Sequence, residues 1–443
     1  MGYLGWTAAT GCLLLLMSLS YGWISRVPVP IFGVYLLVGI GCGPWGLGIL
    51  QFDILTHAPL TSRITEIAMA ASLFITGLKI RLPLTSPFWR TGILLALPGM
   101  LLTIAGIMLV AHLFFDLTWP LSLALAAIIA PTDPVLASLI AVNDAKDDDQ
   151  LRIALSSEAG LNDGTALPFL MLALIWHKAD ASVSGHELLR WFSVDLLWAL
   201  VAGLAIGFGL GRLIGLIATR SRHAQGEVAP SDFIALSLIC LSFALALAVD
   251  ASGFLAAFAA GVGLRSAEVS VQKRHPEEEE ECHDMPAEMK VNPHMRHALN
   301  ESSPIKSMGL VIGDALSFGD TVERLFAAVL VIVLGVTLSQ HWDTSALLLA
   351  LLIFCVIRPL AVFMVTWRSQ NSWLQRASLG WLGIRGIGSL NYIAYAYVHG
   401  LGGKEAGMMA NIAITVVTAS VLLHGITVTP LLSWRRKRAE RGK

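Results

Sequence analysis

Five ionisable residues fall inside long apolar runs of this 443-residue sequence: Asp133, Glu158, Asp163, Arg358 and Arg385. A charged side chain in an apolar, membrane-type segment is costly and needs a partner or water. Buried carboxylates beside fixed guanidinium groups suit one chemistry above others, the binding and release of small cations. With both arginines positive and all three acids ionised, the set sums to −1 (two positive, three negative). One Na⁺ or one H⁺ neutralises it, as a site where the two compete requires. The competing reading for any one of these residues is a purely structural ion pair.

Their local sequences sharpen the first reading. Ala130-Pro131-Thr132-Asp133-Pro134 places two prolines where a continuous helix would lose two backbone donors and clash with preceding carbonyls. A break there exposes half-helix ends, which transporters use to hold ions near the midplane; a simple proline kink is the alternative. In Ser156-Ser157-Glu158-Ala159-Gly160-Leu161-Asn162-Asp163-Gly164-Thr165, Asn162 lies about 40° around a helix from Glu158, and Asp163 about 140° from it. Glu158 with Asn162 is placed to meet a buried arginine, whereas Asp163 points elsewhere and is free to face a water-filled path. Gly383-Ile384-Arg385-Gly386-Ile387-Gly388-Ser389 weakens a second helix with three glycines and leaves room for a crossing element. Arg358-Pro359 supplies the second buried cation.

The elements that must position these residues are membrane helices. Hydrophobic residues make up 55% of the chain and charged residues only 14%, against about 25% charged in a soluble domain. Too little polar surface remains to face water, and the long runs do not alternate as barrel strands do. Apolar runs near 5–24, 30–50, 64–80, 90–114, 120–141, 151–176, 192–218, 232–249, 251–265, 320–340, 345–366, 376–398 and 406–431 define about thirteen spans of the length a bilayer needs. The first is read as a retained helix rather than a signal peptide. The boundary at Asp250 is the least marked, and 304–318 reads as a short interfacial helix. Glu66, Lys79, Asp250, Glu323 and Arg324 fall near span ends, from which they reach the interface.

The chain divides into a first membrane part (1–265, about nine helices), a hydrophilic acidic loop (266–303), a second membrane part (304–432, about four helices) and a basic tail (433–443). The bias of Lys and Arg toward alternate loops and the tail puts the C-terminus in the cytoplasm and the N-terminus outside, in a multi-pass cell (inner) membrane protein. The loop carries Glu277 to Glu281 with His275, His283, His294 and His297, read first as a solvated segment and second as a pH sensor or weak metal site. Gly203, Gly207, Gly211 and Gly215 form a packing stripe, used either within the protomer or between two copies. The formal net charge of −1 gives no reason to expect nucleic acid, and no nucleotide, metalloprotease or esterase motif supports an enzyme.

Pro131-Thr132-Asp133-Pro134, Glu158 with Asn162-Asp163, and Gly383-Ile384-Arg385-Gly386 resemble the ordered motifs of the monovalent cation/proton antiporter-1 family, which includes bacterial NhaP-like antiporters and animal Na⁺/H⁺ exchangers. Pro28, Gly39, Gly43-Pro44 and Phe74-x-x-Gly77-Leu78 are similar to its early segments. The resemblance spans about residues 5–432. It implies an all-α polytopic fold of about thirteen transmembrane helices, with inverted repeats, two crossing interrupted helices and a homodimer. It implies that Asp163 alternates between proton and cation. Asp133, Thr132 and Ser157 complete the cation/proton-binding set, with Asp163 and Asp133 contacting the transported Na⁺. Glu158 would pair with Arg385 or Arg358, and Asn162 would steady Glu158. Members with Asn-Asp at this position exchange one cation for one proton without net charge movement. No cofactor is expected beyond transported Na⁺ (or Li⁺ or K⁺) and H⁺. A gated or regulated K⁺ efflux channel on the same scaffold is the rival reading.

Overall fold

The computed structural model describes residues 31–83, 85–133, 142, 149–179, 183–225, 232–274, 285–291, 304–369 and 371–441, with isolated positions before residue 20. All of the regular structure among these residues is helical. The expected 5–24 span lies mostly outside them, as do the acidic and histidine positions 275–284 and 292–303. From 30–50 onward, each expected span has a helical counterpart.

The helices are α1 (Ile31–Cys42), α2 (Ala58–Lys79), α3 (Phe88–Phe115), α4 (Trp119–Ile129), α5 (Gln150–Lys178), α6 (Gly185–Arg220), α7 (Asp232–Ala248), α8 (Gly253–Arg274), α9 (Pro304–Leu338), α10 (Ala346–Val365), α11 (Trp373–Trp381), α12 (Ile387–Val398) and α13 (Gly403–Arg441). Seven of these, α3, α5, α6, α8, α9, α10 and α13, are long and apolar enough to cross a membrane on their own. Large apolar side chains such as Leu113, Val201, Ile217, Leu348 and Leu360 point outward. A soluble protein exposes few such contiguous patches, whereas lipid accepts them.

Two groups of helices pack against each other. In the first, α8 lies on α6 and α2, and α9 on α1 and α2. The glycine stripe explains the α6–α8 contact. A Cβ at Gly207 or Gly211 would collide with the carbonyl oxygens of Ala256 and Ala260, so the stripe serves packing within the protomer. Asp250 takes a left-handed φ of 56°, which ends α7 and separates it from α8. Segment 304–318 differs from expectation. It runs without interruption into α9, because Ile305, Met308, Val311 and Ile312 are buried in the protein rather than lying on an interface.

In the second group, α3, α4 and α5 are followed later by α10, α11–α12 and α13 in a matching order. Both α3 and α10 contain a π-helical turn beside a proline, Leu95–Gly99 around Pro98 and Ile353–Ile357 before Pro359. The wider turn absorbs the missing proline N–H without breaking the helix. The next element in each series breaks completely.

Charges gather at the two ends. One end carries Lys79–Asp320 (2.8 Å), Arg81–Glu268 (3.3 Å), Arg265–Glu288 (2.9 Å) and Arg435–Asp149 (3.0 Å). The opposite end holds His341 between α9 and α10. Its Nε2 lies 2.8 Å from Asp53 Oδ1, and its Nδ1 lies 2.7 Å from Asn411 Oδ1. Burial alone would lower His341, but hydrogen bonds to Asp53 and Asn411 and the charge of Asp53 outweigh it and hold the imidazole above its usual range. Burial likewise opposes ionisation of Asp53. Hydrogen bonds from His341, Thr56 and the Leu55 N–H, with the histidine charge, hold its carboxyl well below the usual range.

The sign of the pH effect follows. The His341 contribution is fully present below about pH 6.5, the unfolded value, and fades as pH rises through the higher folded value. The Asp53 contribution is present above about pH 3.9 and fades as pH falls through its lower folded value. The melting temperature of the detergent-solubilised protein is therefore expected to fall as pH rises from about 6.5 to 9, and His341→Gln should flatten that fall. An unchanged slope in His341→Gln would contradict the assignment.

Candidate ion site at two broken helices

The first break begins where α4 meets Pro131. A helix end leaves carbonyls without partners. Here Ile128 O accepts from Ser389 Oγ at 2.7 Å, and Ile129 O accepts from Arg385 Nε at 3.1 Å. Arg385 comes from the second break and Ser389 from the first turn of the helix that follows it, so a guanidinium sits at the negative end of α4. The second break runs from Leu382 to Gly386, between α11 and α12. One of the N–H groups that open α12 is satisfied from the first break, since Gly388 N donates to Asp133 Oδ2 at 3.1 Å. A carboxylate thus sits at the positive end of α12. One backbone hydrogen bond, Asp133 N to Ile384 O at 2.9 Å, ties the two extended segments together. Each broken helix caps the other.

The expectation of two breaks near 131–134 and 383–388 is met on the described side of the first. Pro134 itself lies outside the described residues. Glu158, on α5, meets Arg358 rather than Arg385. Arg358 Nη2 lies 2.6 Å from Oε1 and 2.7 Å from Oε2, with both side chains 1% exposed. Arg385 instead spends its donors on carbonyls, Ile129 O and Gly383 O, with its guanidinium 5.9 Å from the Phe354 ring centre. The pairing with Arg358 is one of the two expected, whereas Asn162 is placed differently from expectation. Its Nδ2 donates to Thr132 Oγ1 at 2.7 Å. The shared face with Glu158 is real, but Arg358 already holds both carboxylate oxygens and the extended segment brings Thr132 within reach. Ser157 lies against Gly92 of α3, about 120° around α5 from Asp163.

Asp163 is the residue left over. It is fully buried, and no hydrogen-bond donor among the described residues reaches either carboxylate oxygen. Its backbone carbonyl is held by the Tyr392 hydroxyl at 2.5 Å, which fixes the position of the side chain. Oδ1 lies against Gly388, 3.4 Å from where a Cβ would stand, and Met69 from α2 lies on the same spot at 3.5 Å. Gly388 therefore touches both acids. Its N–H binds Asp133, and its open Cα face admits Asp163. The expected net charge of −1 now has an address: Glu158 is neutralised by Arg358, Asp133 caps a helix, and Asp163 has no counter-charge in contact among the described residues.

Two buried acidic features were missed by the sequence reading. Glu323 is not near a helix end but well inside α9, 7% exposed, accepting from Ser72 Oγ at 3.0 Å. Arg265 and Glu268 of α8 are buried at the Lys79 end. There Arg265 also binds Glu288 and Leu78 O, and Glu268 accepts from the Ala287 N–H.

Fold and site together define a multi-pass, all-helical membrane protein organised around two crossed, interrupted helices. The chain belongs to the sodium/hydrogen exchanger transmembrane family, whose model matches residues 13–434. Its fold is similar to that of the sodium proton antiporter MjNhaP1 from Methanocaldococcus jannaschii. One structure gives a TM-score of 0.64 at 17% identity, covering 96% of this chain and 97% of that one. Among relatives, the K⁺/H⁺ antiporter NhaP of Alkalimonas amylolytica is 23% identical over 93% of this chain and 63% of its own length. The K⁺/H⁺ antiporter NhaP2 of Shewanella sp. (strain MR-4) is 25% identical over 91% of this chain and 62% of its own. The chain thus spans less than two thirds of the length of these relatives.

Arg358→Met leaves Glu158 ionised and buried without a partner, a loss of about 3–5 kcal/mol. The single variant is expected to lose most of its monodisperse yield in detergent. Arg358→Met with Glu158→Leu should recover it. A single variant as stable as the parent would show that the pair is not the anchor described.

Proposed function

We propose that the protein exchanges a monovalent cation, Na⁺ in the first reading, for a proton across the cell (inner) membrane by alternating access. The observation that carries this is Asp163, a buried carboxylate whose oxygens meet neither counter-charge nor hydrogen-bond donor among the described residues, the neighbouring Tyr392 hydroxyl being given to its backbone carbonyl. Such a group is stable only when a proton or a partly dehydrated cation joins it. Desolvation disfavours the bare anion, so the two ligands compete for the same oxygens. Asp133, the Thr132 hydroxyl and nearby carbonyls of the extended segments supply further oxygen ligands suited to a hard cation. Ser157 joins them only after a rearrangement of α5 against α3. The loaded site is neutral and can move past the apolar wall around Met69. The empty, anionic one resists. That difference makes exchange obligatory.

Stoichiometry follows from Asn162. The position beside Asp163 holds an amide engaged by Thr132, not a second titratable acid. One carboxylate then exchanges one cation for one proton, and the cycle moves no net charge. The Lys79 end faces the cytoplasm and the His341 end faces outside, and two copies pair in the membrane. A second reading, K⁺ as the cation, is supported by the names of the two relatives above. The gated-channel reading is weaker, because a channel needs no titratable group that must be refilled on every cycle.

The test is transport in proteoliposomes, with a pH-sensitive dye inside and Na⁺, Li⁺ or K⁺ added in turn. Asp163→Asn is expected to abolish cation-driven proton movement while the protein stays folded, and exchange at the parental rate would remove the central assignment. In the parent, the rate at clamped pH should be indifferent to an imposed voltage, and a clear voltage response would overturn electroneutrality. Cation flux that persists without any coupled proton movement would favour the channel.

A further inference from the structure

Glu323 has no role in the site as described, yet its position places it beside that site. It lies fifteen residues before α9 ends (338 − 323), and its partner Ser72 lies fourteen residues into α2 (72 − 58). Asp163 lies fifteen residues before α5 ends (178 − 163). All three counts run from helix ends on the His341 side, so at about 1.5 Å per residue the three groups share a depth of roughly 21–23 Å. The α2 helix connects them laterally. Met69 touches the Gly388 face that also meets Asp163, and Ser72 is one turn further along the same helix. Lys79, Asp320 and Asp133, in that order, act electrostatically on Glu323.

The same two helices lead outward. Lys79 is two turns beyond Ser72 on α2, and Asp320 is one turn before Glu323 on α9. They form an ion pair of 2.8 Å that is 16% and 36% exposed. The α2–α9 seam therefore carries acidic groups from the exposed Lys79 end down to the level of Asp163. A packing role does not need the charge, because Ser72 supplies one hydrogen where a carboxylate accepts about four. The remaining oxygen capacity is what a cation uses.

We propose that Glu323 is a pathway carboxylate for the transported monovalent cation. It receives the ion from the Lys79–Asp320 end and presents it to Asp163 and Asp133 across the α2 face, and so sets apparent cation affinity from that side. This rests on the antiport reading. The test uses the full chain in proteoliposomes with Na⁺ and K⁺ as probes. The expected result for Glu323→Gln is a KM for the cation raised about tenfold, with the maximal rate within about twofold of the parent. Glu323→Asp, one methylene shorter, should fall between, and it carries the same test should Glu323→Gln fail to accumulate. An unchanged KM overturns the proposal, as does a lost maximal rate at unchanged KM, which is the signature of a structural residue. Both of those outcomes require that the parent exchanges ions. A parent that shows no exchange would remove the antiport reading itself, and this proposal with it.

Discussion

Two helices that stop inside the protein leave carbonyls at one end and N–H groups at the other with no partners of their own. In a medium without water to solvate them, each such group costs several kcal/mol. The structure resolves this by crossing the breaks. Arg385 and Ser389 satisfy the end of α4, and Asp133 satisfies the start of α12. The capping groups are charged because the helix ends carry opposite partial charges. That single constraint brings an acid, a guanidinium, a hydroxyl and the carbonyls of both helix breaks to one place, and the rest of the bundle is arranged to hold them there.

Paired and unpaired charge are then separated by packing. Glu158–Arg358 joins α5 to α10 through a buried, doubly contacted pair. It is costly to break and fixes the rotation of α5. That rotation turns Asp163 to a face where Tyr392 holds its carbonyl and Gly388 admits its carboxylate. Asp163 is thereby left, among the described residues, as the acid of the original five with no counter-charge or donor on its carboxylate. The ion pair and Asp163 are five residues apart on one helix, and their surroundings differ because the helix sends them in different directions.

Much of this was legible in the sequence where the physics is local. Pro131 and the Gly383–Gly386 stretch interrupt helices by their own backbone chemistry, and the apolar runs needed only length and charge to be placed. What was not legible is set by three-dimensional choice. Either Arg358 or Arg385 could have met Glu158, and only the crossing of the breaks commits Arg385 to carbonyls. Asn162 shares the Glu158 face as read, but the extended segment brings Thr132 closer. Glu323 reads as near a span end because the long apolar run begins near residue 320, whereas the helix begins at Pro304 and buries the apolar side chains of its mixed first half against protein. The His341–Asp53–Asn411 cluster joins residues from three distant parts of the chain, and no spacing rule reaches that far.

The central claim is that proton and cation compete for one carboxylate. It is tested most directly by calorimetric titration of the purified protein with Na⁺ or K⁺, in two buffers of equal pH and different protonation enthalpy. The difference between the two heats counts the protons released on binding. At a pH where the site is protonated, about one proton should be released per cation bound. Cation binding with no proton release would contradict the account.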